Sequence, residues 1–251
     1  MTFVRFGLIV TGRGEHEFLD GLFRSLTAAA NCAFFVIRRS EQLSPITSET
    51  RQIRMVGRGQ IIPTIDEAQY GLPARFFLQK NPDSFVIVID DLEGARREQV
   101  HAVFNRYRKA LNQMLDPFQL SQRASVHFLV NMLEAYYFGH ADAVNVAANK
   151  VILNQDHPED VEGIPHPKNT LKGLWVGFDE VSHGKIIIRE LDLHHVLRIP
   201  AQCCWLRTLF HWCVRNLPAD AIWDHTIHQR YELPNGCRQA LTENQQIVDG
   251  E

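Results

Sequence analysis

The chain has 251 residues, 45% of them hydrophobic and 22% charged, with a formal net charge of −3. That length can bury a full core in one large domain, or in one domain with an appendage. The near-neutral balance excludes a global basic field, so a nucleic-acid site must be a local patch.

No apolar run approaches the ~18 residues that a bilayer span needs. The stretch "MTFVRFGLIVTGRGEHEF" lacks the charged start and small-residue cleavage site of a signal peptide. Five cysteines, an odd number without framework spacing, suggest free thiols in a reducing compartment. A cytoplasmic location is the expectation, with no membrane partner.

"FVRFGLIV" (3–10) is short, rich in β-branched and aromatic residues, and stops at the turn "TGRGE"; it predicts a first strand. From Glu15 the period changes. Phe18, Leu19, Leu22, Phe23 and Leu26 fall at helical intervals, predicting an amphipathic helix from about Glu15 to Ala30. "CAFFVI" (32–37) is a second strand. Residues 38–65 are irregular and polar around "VGRGQIIPT", and 38–80 is treated as an insertion or lid. Within it "DEAQYGLPARFFLQK" predicts one or two short helices about its Gly-Leu-Pro.

"SFVIVI" (84–89) is an unbroken apolar run, which suits a parallel strand covered on both faces. "ARREQVHAVFNRYRKALNQML" is a long helix with Val100, Val103, Phe104, Tyr107, Leu111 and Leu115 on one side. "SVHFLV" (125–130) is a fourth strand, passing into a helical stretch broken near Gly139. The alternation predicts an α/β domain over 1–150 with helices on both faces of a mainly parallel sheet. Residues 151–251 form a loop-rich, then helical, extension packed on the same core: loops over Asn154–Glu180, helices over 185–217, and a polar tail after Pro234.

Acids gather where strands end. Glu15 follows the first strand, Asp90, Asp91 and Glu93 follow the third, and Glu134 lies about a turn beyond the fourth. In an open α/β sheet ligands collect outside the carboxyl ends of parallel strands. Carboxylates meeting there suit Mg²⁺ or Mn²⁺, hard cations that bridge to phosphate. Each acid also has a structural reading: Glu15 as a helix-start acid, Asp90 as an N-cap, Glu134 as the partner of an arginine.

"GLIVTGRGEHEFLDGLF", "VIVIDDLEG" and "VHFLVNMLEAYYF", with "HPKNTLK" and "HGKIIIRELDLHHVL" downstream, resemble the bacterial DUF4276 family over most of the chain. That family is regarded as Toprim-like, and the wider Toprim pattern covers about the first 145 residues. The resemblance implies a Toprim-like, Rossmann-like fold of the kind found in topoisomerases, primases and overcoming-lysogenization-defect (OLD) nucleases. It also implies divalent metal held by a glutamate after the first strand and an Asp-x-Asp after a later one. Glu15 corresponds to the second acid of the OLD-like variant, and Asp91-Leu92-Glu93-Gly94 to the tail of an Asp-x-Asp-x-Glu-Gly pattern. Glu134 resembles the glutamate that follows the fourth strand. Thr11-Gly12 stands where the Toprim motif reads Glu-Gly, and Ile89 where its first Asp would fall, leaving Asp90 to substitute from the neighbouring position.

The basic residues are secondary signals. Arg13, between two glycines in "TGRGE", is a phosphate-positioning candidate; the Walker pattern is absent, which leaves a P-loop ATPase unsupported. Arg96 and Arg97 follow the acidic cluster and are candidates for contact with a nucleic-acid backbone. Arg106, Arg108 and Lys109 extend that charge along the same helix, and the whole reads first as a solvated face. Lys168 and Lys172 come from a Pro-rich loop that would fold over the same edge, where a lysine stabilises charge developing on a phosphate. The twelve histidines lack zinc-finger spacing, and Cys203, Cys204 and Cys213 read as core residues of an apolar helix.

Three functions follow. The first is a metal-dependent nuclease, a hydrolase of DNA or RNA phosphodiesters. In it Glu15, Asp91 and Glu93 would hold one or two Mg²⁺ or Mn²⁺ ions with Asp90 and Glu134 in support, and Arg13 and Lys168 would steady the phosphate. The resemblance adds a role in anti-phage defence beside an ATPase partner, and is compatible with a homodimer. The second is a catalytically impaired binding or regulatory module with the same partners, favoured by Thr11 and Ile89. The third is a phosphatase or nucleotidyl hydrolase acting on a small substrate.

Overall fold

The computed structural model describes residues 1–40, 64–92 and 99–233. Four apolar runs form four parallel strands: β1 (Val4–Val10), β2 (Cys32–Arg39), β3 (Ser84–Leu92) and β4 (Ala124–Val130). They lie in the order β2-β1-β3-β4. The chain goes from β1 out to the edge strand β2, then returns past β1 to β3. The strand order therefore reverses between β1 and β3, the position where open α/β sheets form a ligand crevice at their carboxyl ends.

Helices cover both faces, giving a Rossmann-like α/β arrangement. One face carries α1 (Arg13–Phe18) and α2 (Arg24–Ala29), joined by a 3-10 turn over Leu19–Phe23. It also carries α5 (Glu134–Tyr137), α6 (Ala141–Ala148), α7 (Pro167–Leu174), α8 (Ser182–Glu190), α9 (Leu193–Val196), α10 (Cys204–Arg215) and α11 (Ile227–Arg230), so the C-terminal extension shares a core with β1. Packing there is strongly aromatic. Phe34 stacks between Phe6 at 4.6 Å and Phe23 at 4.0 Å, and Phe23 in turn meets Phe210 at 5.2 Å. Such pairs contribute about 1 kcal/mol each beyond their burial and tie α10 to the sheet. The opposite face is built from α3 (Leu72–Lys80), preceded by a π-turn over Glu67–Gly71, and α4 (Val100–Leu115).

Several boundaries differ from the sequence expectation. The first helix starts at Arg13 rather than Glu15 and is interrupted by the 3-10 turn. More important, β3 does not stop at Ile89. It runs through both aspartates to Leu92, with Asp90 opposite Phe128 and Asp91 opposite Leu129 on β4. Successive strand residues face opposite sides, so the two acids part company: Asp91 shares the face of Ile87 and Ile89, Asp90 that of Val88. Lys168 and Lys172 lie on helix α7 rather than in a loop, because Pro167 sits in the first turn, where its missing N–H costs nothing. Glu93, Arg96 and Arg97 lie outside the described residues, as do most of the expected insertion and the tail from Pro234.

Cys32, Cys203 and Cys213 are free and buried, as expected of core thiols; Cys204 departs from that expectation, being disulfide-bonded. Arg106 and Arg108 work inside the fold. Arg106 makes a two-point contact with Asp66 at 2.6 and 3.1 Å, and Arg108 donates to the carbonyls of Ser121 and Ala124. No helix among the described residues is long and apolar enough to cross a membrane.

Candidate metal and phosphate site

Glu15, Asp91 and Glu134 are all buried, at 6%, 9% and 8% exposure, and they act on one another electrostatically. Three different strand ends therefore deliver them to one place beside the β1/β3 reversal. Glu15 is brought in by the first turn of α1. Its carboxylate folds back over Gly12, where a Cβ would stand 1.6 Å from Glu15 Oε2. The glycine is what lets the acid occupy that space.

Glu134 arrives through a strained turn. Asn131 and Met132, between β4 and α5, both adopt positive φ (57° and 73°) without being glycine. Such conformations cost on the order of 1 kcal/mol or more each and persist only where surroundings impose them. Here the Tyr136 hydroxyl accepts from Val130 N–H at 3.3 Å, and the Asn131 side-chain amide donates to the Glu162 carbonyl at 2.9 Å.

Burial dominates the charge state of the cluster. It pushes Asp91 well above the usual carboxylate range, helped by the charges of Glu15, Glu134 and Asp90. Glu134 rises to about 7, chiefly by burial, against the pull of its own backbone amide and of Lys168. Glu15 is raised too, again by burial, and shares a hydrogen bond with Asp91 that favours its own ionised form and the protonated form of Asp91. The Glu15 Oε2 atom is buried with no hydrogen-bond partner among the described residues.

Asp90 is held differently. It is fully buried on the other face, accepting from Thr11 Oγ1 and from Tyr107 OH, each at 2.8 Å. Its charge still reaches Glu15 and Asp91. Thr11, noted in the sequence only as a missing glutamate, therefore anchors the neighbouring strand's aspartate.

Lys168 supplies positive charge to Glu15, Glu134 and Asp91. It is engaged by Glu180 at 2.5 Å, and Lys172 binds the other oxygen of the same carboxylate at 2.7 Å. Burial opposes the charge on Lys168, but the bond to Glu180 and the nearby acids hold its pKa above the ordinary value. Tyr137, fully buried, lies against the same acids, and its hydroxyl is pushed well up by burial and by Glu134, Glu15, Asp91 and Glu180. Arg13 is exposed at the start of α1. Glu180 escaped the sequence reading because it lies far from any strand end, and Tyr137 because it is not an acid. The only signal for Glu180 was an acid eight residues beyond Lys172.

An oxygen-only donor set with an orphaned buried carboxylate oxygen matches the chemistry of a hard divalent cation. Among the described residues, no group of three or more His, Cys, Asp or Glu side chains stands ready to hold a metal ion. The fit is therefore one of donor chemistry rather than of a finished coordination shell.

No curated protein and no solved structure matches the chain. Residues 10–212 match the family described as domain of unknown function (DUF4276), a span that holds every acid and lysine of the site; the chain belongs to that family.

Proposed function

We propose that this protein is a divalent-metal-dependent hydrolase of nucleic-acid phosphodiesters. The observation that carries the reading is the meeting of Glu15, Asp91 and Glu134, from three separate strand ends, in one buried cluster beside Lys168. A protein has little reason to bury like charges together unless a cation or a proton relieves them. The Toprim-like resemblance, resting on Glu15, Asp91 and Glu134, points the same way.

Glu15, Asp91 and Glu134 would hold Mg²⁺ or Mn²⁺. The ion would supply Lewis-acid polarisation of the phosphate and a water activated as nucleophile. Asp90, pinned by Thr11 and Tyr107, keeps the end of β3 in place and adds negative potential behind the ligands. Ligation requires ionised carboxylates, which burial disfavours in all three acids of the metal-free protein. Lys168 would meet the phosphate oxygens and stabilise the charge that develops on them. Arg13, at the rim, would contact a neighbouring phosphate. We place this activity in the cytoplasm, with an ATPase partner and anti-phage defence as its setting.

The test is calorimetric titration of Mn²⁺ together with cleavage of labelled single- and double-stranded DNA and RNA. Glu15→Gln and Asp91→Asn should each weaken Mn²⁺ binding at least tenfold and abolish cleavage. Unchanged affinity and unchanged activity in both variants would sink the reading. Thr11 in place of a carboxylate favours a second reading, a metal-binding module that binds nucleic acid without cutting it. Retained Mn²⁺ and DNA binding with no cleavage under any metal would establish that instead.

A further inference from the structure

Lys168 and Lys172 are one turn apart on α7 and so share a face. A single carboxylate, Glu180, engages both through separate oxygens, Oε2 to Lys168 and Oε1 to Lys172. Two oxygens of one tetrahedral phosphate would meet the same two ammonium groups. Lys168 also acts on Glu15, Asp91 and Glu134, so an anion seated on the lysines borders the acid cluster with its orphaned Glu15 Oε2.

Glu180 is an odd occupant of that position. Its charge adds to the repulsion on Glu134 and on the Tyr137 hydroxyl. Only the lysines favour it: burial works against its ionised form, and the bonds to Lys168 and Lys172 outweigh burial and lower its pKa. The side chain is 36% exposed, and ion pairs this accessible to water contribute little to stability.

The backbone beneath it is fixed independently. Asp179 accepts from Val181 N–H, Ser182 N–H and Ser182 Oγ at 3.2, 2.7 and 2.7 Å. Gly184 seats α8 closely, where a Cβ would lie 2.8 Å from Phe18 and 3.1 Å from the Tyr137 hydroxyl. The Glu180 side chain can therefore leave the lysines while its turn and the helix α8 that follows stay docked.

We propose that Lys168 and Lys172 form the substrate-phosphate seat, and that Glu180 occupies it as an internal anion until a backbone phosphate of nucleic acid displaces it. This rests on the hydrolase reading for the identity of the ligand, but its test does not require metal or turnover. The full chain, freed of metal with EDTA, is titrated with inorganic phosphate and with a short single-stranded DNA oligonucleotide, followed by calorimetry and phosphorus NMR. Glu180→Gln removes the competing charge, and binding of both probes should tighten about tenfold, the effect of one charge-assisted contact. Adding Lys168→Met or Lys172→Met to that variant should erase the gain. Glu190→Gln, a partly exposed acid on α8 paired with Arg189, controls for net charge and should leave binding unchanged.

No gain in Glu180→Gln, an equal gain in Glu190→Gln, or a gain surviving loss of the lysines would each overturn the proposal. Metal binding and cleavage persisting beside such a result would leave the hydrolase reading intact. Tightened phosphate binding in a protein that neither binds Mn²⁺ nor cleaves would instead keep the seat and end the hydrolase reading.

Discussion

Two buried glutamates, Glu134 and Glu162, are both pushed up to about 7, each chiefly by burial. They are nevertheless opposite kinds of site. Glu162 is fully used: its Oε1 accepts from Tyr136 OH at 2.9 Å and Leu206 N–H at 3.0 Å, and its Oε2 from Trp205 N–H at 3.2 Å. It caps the start of α10 and pins α5. Glu134 instead feels the charge of Glu15 and acts on Asp91, and its relief comes from a lysine already engaged elsewhere. A raised pKa therefore does not by itself mark a functional site; the hydrogen-bond inventory around the group does.

The comparison predicts opposite responses to losing the charge. Glu162→Ala strips acceptors from two backbone amides and a buried phenol. It should destabilise the fold by about 3 kcal/mol or more in urea unfolding. A loss below about 1 kcal/mol would mean the cap is dispensable, and the contrast between the two glutamates would collapse.

Next in size is the pH response of the metal-free protein. The folded pKa of Glu134 is about 7 against an ordinary 4.5, so the folded state holds the proton more tightly than the unfolded state. The stability tied to that proton is fully present below about pH 4.5 and is lost as pH rises through 7, by on the order of 3 kcal/mol. Glu134→Gln should flatten the profile between pH 5 and 8 relative to wild type, in EDTA. Parallel profiles would show that Glu134 is not strained.

Asp91→Asn should stabilise the metal-free protein by about 1 kcal/mol at pH 8 by removing a carboxyl from a crowded acid cluster, the reverse of Glu162→Ala. Thermal unfolding in EDTA reads it, and a drop in melting temperature would contradict the repulsion argument. The smallest effect should come from Gly12→Ala. The intruding methyl meets the movable end of Glu15 rather than backbone, so stability should change by less than about 1 kcal/mol while Mn²⁺ affinity falls about tenfold. Unchanged affinity would mean that the position of Glu15 over Gly12 is irrelevant to the site.

Much of this was legible in the chain. Apolar runs with the right period located all four strands, and their ends put Glu15, Asp91 and Glu134 on the one edge that strand ends in an open α/β sheet share. Harder to read were the features that depend on which face a side chain takes. Three further residue pairs with β4 carried β3 through both aspartates to Leu92, and the two-residue period of a strand then sent Asp90 to Tyr107 and Asp91 to the acids. Glu180 was invisible for a related reason. Its partners, Lys168 and Lys172, are separated from it by a helix end and a turn, and nothing in the spacing reports how that segment returns.

By itself, then, the order of residues determined the strands, the helical periods and the concentration of carboxylates at strand ends, all of which follow from short-range sterics and local periodicity. Only the tertiary structure decided which charges are neighbours, which are satisfied and which are held in opposition. Those outcomes depend on burial and on contacts between segments from about a dozen to more than a hundred residues apart, where desolvation sets the energy and no local pattern encodes it.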